Sequence, residues 1–264
     1  MKKKAFAGVL LTAVLSVAML AGCGSSQQAS PQADGKKSDK ELVVVTNATF
    51  PPFESVDTSS GEKKYVGLDI DIANQIASNL GVTMTINDIA FSGLIGSLMD
   101  GRADVAVSAM SPTEERKKNV DFSDSYFSPR NAILAPKGSN FSALDQLGGK
   151  KIAVVFGTTY EKDAKAIQGA NVVSLDNSTA VIQELNNKRV DAAFIDGSQA
   201  AVFLKKYPEL EMHLLPATDD TFAFAFPKGS KWVEPFNKEL KKMKENGELD
   251  KLIEKWLGKE FNQQ

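Results

Sequence analysis

Short apolar segments alternate with amphipathic helical segments along most of the chain after residue 40. The strand-like segments are Leu42–Thr46, Val82–Ile86 and Asp104–Ser108, and the helical ones are Asp69–Leu80, Ser92–Met99, Trp232–Glu245 and Leu249–Trp256. In the helix over Asp69–Leu80 the apolar side chains fall on one stripe, and Gly81 follows as a stop signal. Strands that alternate with helices favour mostly parallel sheets covered by helices. The pattern therefore predicts an α/β fold.

Two parts of this pattern occur twice. Leu42–Phe50 resembles Ile152–Tyr160, and Leu98–Ala109 resembles Leu185–Asp196. Chance similarity between α/β segments is one explanation, and two lobes of the same design is the other. In open α/β sheets, ligands bind beyond the carboxyl ends of strands. Two lobes would then form a cleft lined by these strand ends: Asn47–Phe50, Ser108–Ser111, Gly157–Thr159 and Asp196.

The first 22 residues follow a different pattern. Lys2–Lys4 are followed by an apolar stretch over Ala5–Ala21 that ends in small residues, which is typical of a secretory signal. The end, Leu20-Ala21-Gly22-Cys23, resembles the lipobox of bacterial lipoproteins, in which the cysteine becomes the new N-terminus and carries a diacylglycerol group. We interpret residues 1–22 as a lipoprotein signal peptide and Cys23 as the lipidation site. An ordinary cleavage site, or a spanning helix with a chance cysteine, is the alternative.

The next segment, residues 23–40, contains almost no apolar side chains. It cannot bury enough surface to offset its chain entropy, so we predict a flexible tether. A flexible chain of this length reaches roughly 20–25 Å. The tether would hold a globular body at the extracellular or periplasmic face of the cell membrane.

Composition excludes several other classes of protein. The 264 residues include one cysteine and one histidine, so an intrachain disulfide is impossible and a Cys/His zinc site is not expected. The net charge of −2, without a basic block, gives no footprint for nucleic acid. No Walker motif and no Gly-x-Gly-x-x-Gly is present, so neither a cofactor nor a metal is predicted.

Three charged or polar positions at the predicted cleft suit a zwitterion. Arg116 offers a planar fork that matches a carboxylate, and Thr158 lies where a helix begins and leaves free N–H groups. Asp196, at a strand end, could hold an ammonium group. The alternatives are a surface role for Arg116 and helix-capping roles for Ser111 and Asp196. Phe50 and Phe91 fall on turns and could stack on a flat or cationic side chain.

The body as a whole resembles family 3 of the bacterial solute-binding proteins, the polar amino-acid receptors of ABC importers. The matching segments occur in order: TNATFPPFE (46–54), VGLDIDIANQIASNLG (66–81), FSGLIGSLMDGRADVAVSAMSPTEERKKNVDFSDSYF (91–127), LGGKKIAVVFGTTYE (147–161) and RVDAAFIDGS (189–198). The resemblance implies two α/β lobes that close on a ligand about two crossover strands. Lobe 1 would comprise residues 41–127 and 223–264, and lobe 2 residues 128–222.

The resemblance also implies roles for individual residues. Arg116 would hold the α-carboxylate with Ser111 and the Thr158–Thr159 backbone, and Asp196 would hold the α-amino group with Ser108. The side chain would lie between Phe50 and Phe91. The full ligand-binding set is Asn47, Phe50, Phe91, Ser108, Ala109, Ser111, Arg116, Thr158, Thr159 and Asp196. Asn47 departs from a position that is often acidic in the family, so arginine or lysine is favoured only slightly over glutamine, histidine or cystine.

The implied function is that of a binding protein rather than an enzyme. A monomeric lipoprotein would capture a free L-amino acid by hinge closure and deliver it to a membrane permease and its ATPase. Two alternatives remain: a dehydratase on the same fold, and a ligand sensor for a separate signalling partner. A Ser-His-Asp site would need His213, which lies in a predicted strand over Glu211–Leu215, away from the cleft loops.

Overall fold

The computed structural model describes residues 41–259, and the predicted signal peptide, Cys23 and the tether lie outside the described residues. The strands are β1 (Glu41–Thr46), β2 (Thr49–Phe50), β3 (Glu54–Asp57), β4 (Lys64–Val66), β5 (Thr83–Asp88), β6 (Val105–Met110), β7 (Val120–Phe122), β8 (Asn131–Pro136), β9 (Lys151–Val155), β10 (Asn171–Leu175), β11 (Ala192–Asp196), β12 (Leu210–Leu214) and β13 (Ala223–Pro227). The α-helices are α1 (Leu68–Leu80), α2 (Leu94–Met99), α3 (Glu114–Lys117), α4 (Thr159–Lys165), α5 (Ser178–Asn186), α6 (Gly197–Lys206), α7 (Val233–Glu245) and α8 (Glu248–Leu257).

Most of these strands belong to two five-stranded sheets. Sheet I has the order β5-β1-β6-β13-β7, and sheet II has the order β10-β9-β11-β8-β12. In sheet I, β1 pairs in parallel with β5 and β6, while β13 runs antiparallel to β6 and β7. Sheet II repeats this arrangement, with β9 parallel to β10 and β11, and β8 antiparallel to β11 and β12. The two similar sequence segments fall at equivalent places, since β1 matches β9 and β6 matches β11.

The chain passes twice between the sheets, over residues 123–130 and 215–222. The two passages lie side by side, joined by a β-bridge between Phe127 and Phe222 and by a hydrogen bond of 2.9 Å from the Tyr126 N–H to the Phe222 carbonyl. Ser123, at the start of the first passage, is tied to β13 just beyond the second, because its hydroxyl accepts from the Phe224 N–H at 3.0 Å. A paired two-strand connection restricts how one sheet can move against the other.

Each sheet carries its own apolar core on both faces, because alternate strand residues point to opposite sides. On sheet I, one face packs against α1, α7 and α8, and the other packs against α2. On sheet II, α5 and α6 cover one face and α4 covers the other. In the two C-terminal helices, Leu240, Met243 and Ile253 are buried, and Leu252 and Trp256 pack against the same cluster.

A third, three-stranded antiparallel sheet was not predicted. It has the order β2-β3-β4 and follows directly after β1, with two to four residues in each strand. Such short strands give too little alternation to be recognised from hydrophobic pattern alone. None of the helices within residues 41–259 is both long and apolar enough to cross a membrane.

Candidate functional site

A cavity lies between sheet I and sheet II, at the carboxyl ends of their parallel strands. Every residue of the predicted ligand-binding set except Asp196 lines it. The other lining residues are Glu54, Val155, Tyr160, Ser178, Phe194, Ile195, Gln199 and Phe222. The cavity therefore collects side chains from both sheets, as a binding cleft between two lobes requires.

Arg116 crosses this cleft. It lies in α3, and its Nη1 donates to the Ser111 carbonyl while its Nη2 donates to the Gly157 carbonyl, each at 2.9 Å. The guanidinium also lies over the Phe91 ring, 5.3 Å from the ring centroid, which is a cation–π distance. Burial lowers the pKa of Arg116 to about 10, opposed by the negative charge of Asp220. The arginine remains charged at neutral pH, so it supplies a fixed cation to the cavity.

Ser111 does not cap a helix. The N-cap of α3 is Thr113, whose Oγ1 accepts from the Arg116 N–H at 3.3 Å, so the capping alternative for Ser111 is wrong. The Ser111 hydroxyl instead donates to Asp220 Oδ2 at 3.0 Å, on the second passage between the sheets. The helix α3 begins at Glu114, two residues beyond the start that a Ser111 cap would give. Ser111 thus ties the strand end of sheet I to a passage residue.

On sheet II, a tightly bonded turn faces Arg116. Thr158 is the N-cap of α4: its hydroxyl accepts from the Glu161 N–H at 3.2 Å and donates to the Val155 carbonyl at 2.7 Å. Gly157 has a φ of +81°, and its N–H donates to Glu161 Oε2 at 2.7 Å. Glu161 is in turn held by Ser174 and Lys165, at 2.6 and 2.7 Å. These bonds fix the direction of the Gly157 carbonyl that Arg116 binds.

Asp196 is the N-cap of α6, so the helix-capping role considered for it from the sequence is confirmed. Its Oδ1 accepts from the Gln199 N–H at 2.9 Å, while Oδ2 has no partner. The residue is fully buried, and this burial raises its pKa to about 7, against the effect of the N–H groups at the start of α6. Although Asp196 does not line the cavity itself, its neighbours Ile195 and Gln199 do. Capping therefore uses one carboxylate oxygen, and the other is buried without a hydrogen-bond partner.

Asn47 and Ser108 form a network inside sheet I. The Asn47 side-chain amide donates to the Ile89 carbonyl at 2.8 Å and accepts from the Thr49 hydroxyl at 2.9 Å. The Asn47 N–H donates to Ser108 Oγ at 3.1 Å, and that hydroxyl donates to Glu54 Oε1 at 3.0 Å. The hydrogen-bonding groups of both side chains are thus engaged within the protein, although both residues line the cavity.

The sequence did not predict Glu54, whose carboxylate accepts the hydrogen bond from Ser108. Glu54 is 1% exposed, lines the cavity, and keeps its Oε2 without a hydrogen-bond partner. Burial, with the nearby charge of Asp69 as a second cause, raises the pKa of Glu54 well above its ordinary value. Glu54 stands in the FPPFE segment used for the family resemblance, so its acidic character was the available signal.

Asp69 is a second buried acid close to Glu54. Its Oδ2 accepts from the Ala109 N–H at 2.7 Å and from the Tyr126 hydroxyl at 2.6 Å, and Oδ1 has no partner. Burial raises the pKa of Asp69 to about 7, although both hydrogen bonds oppose the shift. Ala109 has a φ of +40°, an uncommon value for a residue with a Cβ. Asp69 thus anchors a strained part of the cavity wall.

The two predicted aromatic residues lie in different surroundings. Phe50 stacks on Phe53 at 5.4 Å between centroids and meets Phe222 edge to face at 6.4 Å. Phe91 begins a 3₁₀ turn and lies beneath Arg116. Phe50 belongs to the short strand β2 rather than to a turn. Phe50 is therefore part of an aromatic cluster, whereas Phe91 packs against the guanidinium of Arg116.

His213 lies in β12, as the sequence predicts, and contacts Glu211 at 3.4 Å. It does not line the cavity. Within residues 41–259, no cluster of three or more His, Cys, Asp or Glu side chains has a metal-binding arrangement.

Known proteins are similar to this chain in sequence and in fold. The profile of the bacterial extracellular solute-binding proteins, family 3, matches residues 42–259. The arginine-binding extracellular protein ArtP of Bacillus subtilis (strain 168) is 34% identical over 255 residues, covering 94% of this chain and 96% of ArtP.

Solved structures agree with the sequence relatives. AbpA of Streptococcus pneumoniae bound to L-arginine has a TM-score of 0.79 and 34% identity, covering 84% of this chain and 96% of AbpA. An ancestral arginine-binding protein bound to glutamine has a TM-score of 0.79 and 40% identity, covering 84% of this chain and 100% of that protein. The predicted two-lobed α/β fold and the family resemblance are both confirmed. The chain belongs to the bacterial extracellular solute-binding proteins, family 3.

Proposed function

We propose that this protein is the substrate-binding component of an ABC importer and that it captures a cationic L-amino acid, arginine or lysine. The observation that carries the choice of ligand is Glu54, a buried carboxylate in the cavity wall with one oxygen unpartnered. An unpaired buried charge is costly, and a cationic side chain removes that cost by pairing with it.

The unpartnered polar atoms around the cavity match the donors of such a ligand. Glu54 Oε2, Asp196 Oδ2 and Gln199 Oε1 are buried oxygens without a partner. They come from both sheets, and each can accept an N–H. An α-ammonium group and a guanidinium or ε-ammonium group together supply enough donors for all three. A neutral amide side chain would leave the carboxylate of Glu54 without a counter-charge.

The opposite charge of the ligand has its own partner. Arg116 is the cation that faces the cavity, close to Ser111, Thr158 and Thr159. In the proposed complex the α-carboxylate binds here, at the strand ends and the α4 turn, while Asp196 binds the α-ammonium group. Arg116 and Asp196 thus bind the two charged groups of the ligand backbone. Glu54 binds the cationic end of the ligand side chain, which lies between Phe50 and Phe91.

Relatives support the ligand class more than the individual ligand. ArtP is named for arginine, and AbpA was solved with L-arginine, whereas the ancestral arginine-binding protein was also solved with glutamine. Amino-acid binding is common to all three. The preference for a cation in this chain rests on Glu54.

The location of the protein follows from the N-terminal segment. In the proposed mature form, residues 1–22 are removed, Cys23 carries the lipid, and residues 23–40 link it to a body whose lobes are residues 41–127 with 223–264 and residues 128–222. Closure on the ligand would present this body, as a monomer, to a permease and its ATPase.

A ligand screen tests the proposal. The mature chain from Cys23 onward is titrated with the twenty amino acids and cystine, and its thermal unfolding is followed. Arginine or lysine at about 100 times Kd should stabilise the fold by about 2.7 kcal/mol. If none of these compounds raises Tm, the protein is not an amino-acid receptor.

The Glu54→Gln variant tests the choice of ligand. Loss of the carboxylate should weaken arginine binding roughly 10- to 100-fold, the value of a charge-assisted hydrogen bond, and leave binding of a neutral amino acid unchanged. Glu62→Gln is the matched control, because Glu62 is an acid whose side chain is 79% exposed. Calorimetric titration gives both affinities. Equal arginine affinity in the Glu54→Gln variant and the parent would show that the ligand is not recognised as a cation.

A further inference from the structure

Thr49 joins the two sheets without lining the cavity. It begins β2, on the side of sheet I, and its contacts across the cleft are with α5 and α6. The Ser178 N–H, at the start of α5, donates to Thr49 Oγ1 at 3.4 Å. Gln199 Nε2, in the first turn of α6, donates to the Thr49 carbonyl at 3.4 Å. One residue thus receives hydrogen bonds from two helices of the opposite sheet.

The hydroxyl of Thr49 is oriented for this contact. It donates its proton to Asn47 Oδ1 at 2.9 Å, and the Asn47 amide is fixed in turn by its bond to the Ile89 carbonyl. Because the proton points to Asn47, the lone pairs of Oγ1 are free to accept from Ser178. The orientation is set within the sheet I side, independently of any ligand.

We propose that Thr49 is a positioning residue: a polar latch that holds the cleft closed by accepting hydrogen bonds from Ser178 and Gln199. The inference rests on the proposed function, since a latch matters only if the cleft opens and closes around an amino acid. It adds a residue that shifts the balance toward the closed form but does not touch the ligand.

Burial of the partners explains why the latch favours closure. Ser178 is 2% exposed and Gln199 is fully buried. Their donors would be hydrated in an open cleft, and closing removes that water, so Thr49 must replace it as the acceptor. Both contacts are long, at 3.4 Å, so each is weak. Weak contacts suit a closure that has to be reversed to release the ligand.

A second contact across the cleft, from Arg116 to the Gly157 carbonyl, lies at the α3–α4 side. Arg116 lines the cavity, so a substitution there changes ligand contacts and closure together. Thr49 does not line the cavity, so its substitution reaches the ligand only indirectly, through the Asn47 Oδ1 that its hydroxyl binds.

The test compares Thr49→Val with Thr49→Ser in the mature chain. Valine keeps the shape and loses the hydroxyl, whereas serine keeps it. Thr49→Val should weaken binding of every accepted amino acid by one common factor of about two- to tenfold, the usual range for one net hydrogen bond, with faster dissociation. Thr49→Ser should restore the parent affinity. Calorimetry gives the affinities, and stopped-flow tryptophan fluorescence gives the dissociation rates.

A second variant checks the partner. Ser178 is the first residue of α5, where proline is tolerated, so Ser178→Pro removes the N–H donor with the helix intact. Ser178 also lines the cavity, so its single loss includes ligand contacts and only its coupling to Thr49→Val tests the latch. In the double variant with Thr49→Val, the loss should be smaller than the sum of the single losses. Losses that differ between amino acids, fully additive losses, or an unchanged affinity in Thr49→Val would overturn the latch. If the parent protein binds none of the amino acids, the proposed function itself fails.

Discussion

At the residue scale, several side chains that line the cavity already have their hydrogen bonds fixed by the protein. Arg116 is the clearest case, because two carbonyls from opposite sheets hold its guanidinium and Phe91 supports it from below. The two bonds come from two different nitrogens of the planar guanidinium, whereas the three N–H donors of a lysine all sit on one nitrogen and do not reproduce this fork. The planar shape of the Arg116 guanidinium is therefore as important as its positive charge.

We predict that Arg116→Lys weakens binding of every amino acid by a similar factor, about 100-fold, and leaves their ranking unchanged. The reason is that, in the proposed complex, Arg116 binds the carboxylate shared by all of them. Arg102→Lys is the matched control, since Arg102 is an arginine whose side chain is 68% exposed. Affinities from calorimetric titration decide the matter. A changed ranking would mean that Arg116 contacts the side chain of the ligand.

The sequence identifies which residues face the cleft better than it identifies what each one does. Strand ends and motif positions place Asn47, Ser108 and Arg116 at the cavity. Whether a side chain is free for a ligand depends on partners far along the chain, such as Glu54 for Ser108 and Ile89 for Asn47. Such partners come together only in the folded protein, so the free carboxylate of Glu54 was not foreseen.

At the element scale, the start of α1 depends on one glycine. Gly67 has a φ of +138°, and a Cβ built there would lie 2.0 Å from the Phe53 carbonyl oxygen. The close approach fixes where α1 begins relative to β3. This matters for the site, because Glu54 follows Phe53 and Asp69 lies in the first turn of α1.

We predict that Gly67→Ala destabilises the fold by about 3 kcal/mol or more, because the side chain collides with backbone at a strained dihedral angle. Gly96→Ala is the matched control. Gly96 lies within α2, where an added Cβ meets nothing within 4 Å, so alanine should be neutral or stabilise by about 0.5–1 kcal/mol. Urea unfolding of both variants gives the two values. Similar stabilities would show that α1 can shift away from Phe53.

Hydrophobic periodicity predicts the long elements within a residue or two. The strand predicted over Leu42–Thr46 is Glu41–Thr46, and the helix predicted over Asp69–Leu80 is Leu68–Leu80. The pattern does not reveal strand direction. β8 and β13 run antiparallel inside their sheets, and their apolar sequences are like those of the parallel strands. Direction depends on where the chain crosses between the sheets, which is a property of topology.

At the scale of the whole molecule, both sheets contain buried acids near the cavity. Asp69 and Asp196 each have a pKa raised to about 7 by burial, and the pKa of Glu54 is raised for the same reason. An acid whose pKa is higher in the folded than in the unfolded chain binds protons more tightly when folded. Its contribution to stability is complete below about pH 4 and is lost as the pH rises through about 7.

We predict that the ligand-free protein has a higher Tm at pH 5.5 than at pH 8.0. Half-buried acids such as Asp57, Asp121 and Glu211 have lowered pKa values because they accept hydrogen bonds, and their contribution is lost only in acid, below this window. Thermal unfolding across the range measures the slope, and Asp69→Asn should reduce it. A flat profile would show that the buried acids are ionised at little cost.

The order of strands in sheet I has a consequence for how the protein is made. Sheet II uses one continuous stretch, residues 131–214, whereas the place between β6 and β7 in sheet I is filled by β13, residues 223–227. During synthesis from the N-terminus, the edges of β6 and β7 that face β13 remain unpaired until β13 is made. Sheet II has all its strands before that point. Unpaired apolar edges invite aggregation. The nascent chain is therefore expected to need protection until residues 223–227 have been made.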